Sequence, residues 1–532
     1  MASVDSPDFN SNPWHRTIML ALLIGFLAIF AMPTPEGMQP EAHRLIAVTF
    51  LMAGLWVTQV VPLAATSLLP LVLFPALGIQ SAAETSQAFI NDNVFLYLGG
   101  FIIALGIERW NLHRRIALNI VSFIGARPRQ LVLGFMLATA GLSMWISNTA
   151  TTLLMLPIAL ALLRTMEEER AALPAGGTRP EDSALAVPVL LGIAYSASIG
   201  GLTTLVGTPT NVVAARIYAE EIPDAVPLSV AEWMLACLPI GIVYLAVTWL
   251  VLTWKLPSAT QHDETLRSQL RKRKSDLGKI SAAESRMLLV FATTAALWIL
   301  RKPLKLDEVQ VLPGWSEILP GWFEWLGMSA SLVPASAKDF VNDSTVAVGL
   351  AVLLFFIPSG TRSSNGRRVP LMDWATATKL PWDIVLLFGG GFALAGAFSN
   401  DVTGLAGWLA NALKEPLEGQ SAWLVVAVTC LLMTFLTEVT SNVATINTLL
   451  ASLLAMCGPL GIDPRLLMIP ATLATSCAFM LPIATPPNAI IFGSGQVRIG
   501  EMARHGLLLN LLGVPVLTAG TFLLVKPLLG IE

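Results

Sequence analysis

A five-residue polar motif occurs twice in this chain, each time in the middle of a long stretch with almost no charge. The first copy is Ser147-Asn148-Thr149-Ala150-Thr151 and the second is Ser441-Asn442-Val443-Ala444-Thr445. Polar side chains at membrane depth are costly unless they line a site or a pathway. The same costly group at matching places in two halves predicts a transporter whose site lies at the interface of two repeats.

That the surroundings are a bilayer follows from composition. The chain has 532 residues, of which 55% are hydrophobic and 13% charged, with a mean hydropathy of +0.69. Many stretches reach the roughly 20 residues needed to span a hydrocarbon core. A net charge of −3 suggests no nucleic-acid partner. Cys237, Cys430, Cys457 and Cys477 are scattered singly, with no disulfide framework or CxxC site. His15, His43, His113, His262 and His505 fall near segment ends or in polar connections and do not pair at ligand spacing, which argues against a catalytic metal centre. No Ser/His pair, HExxH or paired intramembrane carboxylates occur in the spans, which argues against an intramembrane enzyme. The first apolar segment follows a short tail with His15 and Arg16. With so many spans behind it, it reads as an uncleaved helix rather than a signal peptide.

Full spans are expected near 17–32, 44–60, 64–78, 92–108, 184–219, 230–254, 284–300, 343–357, 381–398, 464–492 and 506–528. Two further stretches behave differently. Residues 130–163 form 34 residues without a charge, too long for one crossing and too short for two crossings plus a turn, which need more than about 40. Two short helices meeting inside the membrane fit, with Ser147 to Thr149 at the midpoint. Residues 419–462 repeat the pattern with Ser441 to Val443 near the middle. Both read as re-entrant hairpins, whose irregular backbone is tolerated only where it is buried in protein or lines a cavity. With a cytoplasmic N-terminus, 23 of the 32 Lys and Arg face inside, whereas the outer loop 219–232 carries Glu220, Glu221, Asp224 and Glu232 and no base. This orientation gives the two hairpins opposite directions, an inverted repeat. Arg271-Lys272-Arg273-Lys274 then reads as a topology-setting cytoplasmic loop.

Further pairs support the duplication. Leu98 to Leu105 resembles Phe388 to Ala395, and Gly207-Thr208-Pro209-Thr210-Asn211 resembles Ala484-Thr485-Pro486-Pro487-Asn488. Four ordered elements in two copies are far more specific than any one motif. The glycines alone mean little, because small residues commonly let membrane helices pack closely. The Thr-Pro elements interrupt apolar spans. Proline removes a helix hydrogen bond, so 199–211 and 481–488 are expected to be unwound, freeing carbonyls as hard cation ligands. Ser147 and Ser441 are expected to cap the second arms of their hairpins.

Segments 130–163, 184–215, 419–462 and 466–497 contain no Lys, Arg or His, and their one carboxylate is Glu438. Glu438 reads as a residue that orients backbone beside a turn. An anion held here has no guanidinium clamp, and burying an uncompensated carboxylate costs several kcal/mol or more. An anionic substrate therefore calls for co-bound cations as counter-charges.

These motifs closely resemble those of the divalent anion/sodium symporter family, which includes sodium-coupled dicarboxylate and citrate transporters. The likeness covers nearly the whole chain. It implies an all-α polytopic membrane protein of about eleven transmembrane helices plus two re-entrant hairpins, working as a homodimeric elevator in the lipid bilayer of a bacterial inner (cell) membrane. By that resemblance Ser147, Asn148, Thr149, Ser441, Asn442, Thr485 and Pro486 contact a small anionic substrate, with Thr208 and Pro209 at the corresponding place in the first repeat. Sodium ions are the implied coupling ions. One sodium site would use Ser143, Ser147, Asn148 and backbone near Gly207, and the other Thr437, Thr440, Asn442 and Ala484. The second motif copy departs from the pattern at Val443, which lacks a hydroxyl, although Thr445 remains.

The resemblance also implies a division into a cytoplasmic tail 1–16, scaffold segments 17–128 and 283–415, transport segments 129–258 and 416–532, and a basic connection 259–282. Segments 109–128 and 399–415 would be amphipathic arms, the first through Leu112, Ile116, Ile120 and Phe123. The leading expectation is sodium-driven symport of a di- or tricarboxylate such as succinate, malate, fumarate or citrate. Sodium–sulfate symport, sodium-independent dicarboxylate exchange and a channel are the alternatives.

Overall fold

The computed structural model describes residues 13–171, 185–222, 225, 228–257, 263–306, 309–312, 314–317, 341–362, 365–398, 402–417 and 419–531. Most of the 1–16 tail lies outside these residues, as do most of the 164–183 connection, Asp224, and the first residues of the 259–282 connection and the 399–415 arm.

Among the described residues, five helices are long and apolar enough to cross a membrane: Trp14–Ala31, Ala82–Arg109, Val230–Thr253, Ala282–Ile299 and Ile499–Leu528. No residue of the first is fully buried, although Ile18, Leu22 and Phe26 pack half-buried against Leu51, Leu55 and Val60. Its other apolar side chains, among them Leu20, Ile24 and Leu27, are exposed, as on a helix with a face turned to lipid. Three of the expected spans are built from shorter pieces, two of them at the Thr-Pro elements where unwinding is expected and the third, at 64–78, where it is not. Residues 64–78 hold Leu63–Thr66 and Leu69–Leu77, 184–219 hold Ala186–Gly201 and Pro209–Glu221, and 464–492 hold Arg465–Thr475 and Pro486–Gly493. In each case a proline sits in the first turn of the second piece. That position suits its fixed φ and missing N–H.

The chain is mostly helical rather than all-α. Two antiparallel two-stranded sheets, Leu304–Leu306 with Val309–Leu312 and Pro358–Arg362 with Arg368–Pro370, lie in the polar connections. The basic run sits on helix Asp263–Asp276, with Arg271, Lys272 and Lys274 exposed. The first arm is a helix, Leu112–Ile124, but its buried face is Leu112, His113, Ala117, Leu118 and Val121. Phe123, one of the apolar residues of the expected amphipathic arm, is exposed.

From Asp92 and again from Trp382 the elements follow one order. A small-residue helix (Asp92–Arg109; Trp382–Phe398) leads to an arm (Leu112–Ile124; Leu405–Leu417). A helical hairpin follows (Pro128–Ser143 with Asn148–Ala171; Ala422–Leu436 with Asn442–Ala455), then the broken pair named above. A long helix closes each run (Val230–Thr253; Ile499–Gly520).

Packing divides the chain into two compact units. One comprises residues 1–94, 212–227 and 381–475. In it the second hairpin's arm Asn442–Ala455 packs on Trp382–Phe398 and on Arg465–Thr475. Gly390 presses on the Ser67 backbone and Gly391 on the Asn447 amide, contacts that a Cβ would forbid. The other comprises 95–211, 228–380 and 476–532. There the first hairpin packs on Ala186–Gly201 and on Leu112–Ile124, while Pro486–Gly493 packs on Asn148–Ala171 and Ala186–Gly201. Tyr244 of the long helix Val230–Thr253 donates to the Leu509 carbonyl at 2.9 Å beside Gly513. The boundaries at Asn211/Val212 and Thr475/Ser476 mean that each broken span passes from one unit into the other.

Candidate functional site

The first hairpin turns at residues 144–147, between helices ending at Ser143 and starting at Asn148. Trp145 anchors the turn, stacked on Trp298 at 6.1 Å and edge-on to Phe291 at 5.3 Å. Ser147 accepts the Ala150 N–H at 3.2 Å and so caps the second arm as the sequence predicts. The buried Ser143 hydroxyl donates to Asn148 Oδ1 at 2.6 Å. Ser147, Asn148 and Thr149 are half-buried.

The second hairpin turns at 437–441 and repeats the key contact with the same spacing. Thr437 Oγ1 donates to Asn442 Oδ1 at 2.5 Å. A hydroxyl five residues upstream therefore holds each tip asparagine. The tips differ at the cap. Ser441 has the extended backbone of an N-cap but makes no side-chain cap bond. Its carbonyl accepts the Thr445 N–H at 2.9 Å, as the Ser147 carbonyl accepts the Thr151 N–H, and also the Thr445 hydroxyl at 3.0 Å. Thr440 and Thr445 share a hydrogen bond of 2.6 Å, and Val443 is buried. Glu438 is buried beside this turn.

Both Thr-Pro elements are unwound, with bounds that differ from expectation. The first gap, 202–208, is shorter than 199–211 because the helix persists to Gly201. The second, 476–485, begins five residues earlier than 481. Sequence reasoning missed the residues that shape them. Asn211 Nδ2 donates to the carbonyls of Gly201 at 3.1 Å, Leu202 at 3.2 Å and Thr204 at 2.7 Å. Asn488 Nδ2 donates to those of Ala478 at 3.0 Å and Leu481 at 3.1 Å. Each amide thus reaches carbonyls seven and ten residues upstream. The one available signal was the asparagine two residues after each Thr-Pro.

Around the first break the packing is close. Gly201 lies against the Asn148 amide, Gly200 against the Ala140 backbone and Gly207 against the Gly201 carbonyl. Thr204 donates to the Met144 carbonyl in the hairpin turn and accepts the Gly207 N–H at 3.0 Å. Thr210 Oγ1 lies 3.1 Å from Ser476 Oγ and donates to Thr208 Oγ1 at 3.4 Å, all three being buried. Thr485 caps Pro486–Gly493 by accepting the Asn488 N–H at 3.4 Å. One compact unit therefore holds Ser143, Ser147, Asn148, Thr149, Gly207, Thr208 and Pro209 together with Ala484, Thr485 and Pro486. Thr437, Thr440, Ser441, Asn442 and Thr445 belong to the other. A cavity of about 240 Å³ adjoins the first tip, lined by Ile146, Ala150 and Thr151 and by Glu108 and His113. Among the described residues no ion pair reaches a tip or a break.

Oxygen-rich turns without fixed positive charge, set between apolar helices in two copies, match a known family. The model of the sodium:sulfate symporter transmembrane region fits residues 11–530. The chain belongs to the divalent anion/sodium symporter family. It is therefore a multi-pass membrane transporter and not an enzyme. Among its relatives, a sodium-dependent dicarboxylate transporter, SdcS, of Staphylococcus saprophyticus is 38% identical over 522 residues, covering 97% of this chain and 92% of that protein. SdcS of Staphylococcus aureus strain RF122 is 37% identical over 527 residues, covering 98% and 94%. The fold resembles the solved YdaH transporter of Alcanivorax borkumensis, with a TM-score of 0.52 at 14% identity over 96% of this chain and 97% of that one. It also resembles MtrF of Neisseria gonorrhoeae, described with a class of antimetabolite efflux pumps, with a TM-score of 0.51 at 13% identity over 96% and 95%.

Proposed function

We propose that this protein is a sodium-coupled symporter of di- or tricarboxylates of the succinate, malate, fumarate and citrate class. The observation that carries this reading is the duplicated oxygen site without a basic side chain. Two tips hold their asparagines through matched hydroxyls, and two breaks are joined through Thr210 and Ser476. Freed carbonyls, hydroxyls and amide oxygens are hard donors suited to sodium. Bound sodium then supplies the positive charge that the substrate carboxylates need. The relatives named as sodium-dependent dicarboxylate transporters support the same assignment.

In this reading one sodium is held by Ser143, Ser147, Asn148 and Gly207, and its partner by Thr437, Thr440, Asn442 and Ala484. The substrate contacts Ser147, Asn148, Thr149, Thr208, Pro209, Ser441, Asn442, Thr445, Thr485 and Pro486. The hairpins are re-entrant and oppositely directed, the N-terminus is cytoplasmic, and the protein works as a homodimeric elevator in the bacterial cell membrane. The scaffold comprises 17–128 and 283–415, and the moving part 129–258 and 416–532. That division concerns which segments travel together, whereas the two compact units describe packing in one conformation.

Purified protein in proteoliposomes tests the assignment. An inward sodium gradient should drive concentrative succinate uptake that collapses when potassium replaces sodium. Uptake that needs internal dicarboxylate whatever the cation would make the protein an exchanger. Sodium-driven sulfate uptake that dicarboxylates do not compete would make it a sulfate symporter.

A further inference from the structure

We infer that Asn211 and Asn488 are a matched pair of positioning residues that set the carbonyl geometry of the two breaks, and hence the sodium affinity of the transporter. This rests on the sodium-coupled reading above. Each side chain is fully buried, one helical turn beyond its break. Each amide nitrogen gathers carbonyls at the same two offsets, a spacing fixed by three-dimensional shape and not by helical periodicity. The orientation of both amides follows from chemistry, since a flipped amide would set its oxygen against two or three carbonyl oxygens.

Unwinding a buried helix leaves carbonyls without partners, and such groups turn toward whatever donor is near. The asparagines take the carbonyls on their own side of each break and so decide which remain available. At the first break the effect reaches the hairpin. The Gly201 carbonyl held by Asn211 touches Gly207, and Gly201 itself lies against the Asn148 amide. Thr204, whose carbonyl Asn211 also holds, ties its hydroxyl to Met144 and Gly207. Both amide oxygens, Asn211 Oδ1 and Asn488 Oδ1, are buried without a hydrogen-bond partner. A buried amide retained at two matched places with only its nitrogen in use is costly for packing alone. Ordering the breaks accounts for both copies.

The test is the sodium dependence of succinate uptake, and of thermal stabilisation by sodium chloride against choline chloride, in the full-length protein. Asn211→Ala and Asn488→Ala should each raise the half-maximal sodium concentration about tenfold or more, because each frees two or three buried carbonyls. Asn211→Asp should be as impaired as Asn211→Ala, since the isosteric carboxylate lacks the donor. If the alanine variants do not fold, Thr204→Val removes the ties to Met144 and Gly207 with little change in volume and should shift the same midpoint. A purely structural role would lower the amount of protein or the maximal rate at an unchanged sodium midpoint, and that result overturns the inference. Wild-type protein lacking any sodium response would refute the symport reading instead.

Discussion

The contact between Gly201 and Asn148 allows a stringent test of the first tip. A Cβ at Gly201 would run into the outer atoms of the Asn148 amide. That amide is fixed by Ser143 at 2.6 Å, so Gly201→Ala forces it to rotate and breaks the bond. The lost hydrogen bond is worth about 1 kcal/mol, and the buried Ser143 hydroxyl left without a partner costs about 1–3 kcal/mol. Replacing glycine at the helix end returns up to about 1 kcal/mol, so the net destabilisation is roughly 1–3 kcal/mol. In an Asn148→Ala background there is no amide to displace, and Gly201→Ala should be neutral to stabilising by up to about 1 kcal/mol. The propensity gain is common to both backgrounds, so the double-mutant cycle, read by reversible unfolding in mixed micelles, should give a coupling of about 2–4 kcal/mol. Gly200→Ala is the control. It meets the Ala140 backbone, so Asn148→Ala should not relieve it. Sodium-driven uptake by Gly201→Ala should fall at least tenfold while the protein stays monodisperse. Additive stabilities, or wild-type uptake by Gly201→Ala, would refute the role assigned to the Asn148 position.

Asn148→Ala and Asn442→Ala should each abolish uptake while expression is retained, and near-normal uptake by either would exclude that tip from the site. Thr210→Val strands the Ser476 hydroxyl and should cost about 1–3 kcal/mol of stability, with no loss if the two breaks do not depend on that bond. Asp373 lies in the polar connection 359–380, where burial pushes its carboxyl up but hydrogen bonds from Thr376 and the Arg109 guanidinium outweigh it and hold the carboxyl below its ordinary value. Its stabilising contribution is therefore complete above the ordinary carboxylate range and lost as the pH falls below about 4. Thermal melts should show Asp373→Asn less stable at neutral pH and with a flatter acid limb; parallel acid limbs would contradict it.

The turns at 144–147 and 437–441 were legible because charge-free stretches too long for one crossing and too short for two call for a break near their middle, and Ser147 and Asn148 mark the first. The breaks were legible from Thr-Pro, yet their extents were not. Proline states where a helix can restart, and the point at which the previous helix lets go depends on the distant donors Asn211 and Asn488. Ser441 has the backbone of an N-cap without the side-chain bond expected of it, a difference that composition does not record. The break within 64–78 was not legible, because hydropathy does not distinguish one long helix from two short ones joined at a proline.

Calorimetric titration of succinate into the purified transporter, in sodium chloride and in choline chloride at equal ionic strength, measures most directly whether cations stand in for the missing basic residues. Reciprocal coupling requires succinate affinity to climb steeply with sodium and sodium affinity to climb with succinate. Succinate binding that is absent in choline and tightens with each increment of sodium is the predicted result. Equal binding in the two salts would contradict the account.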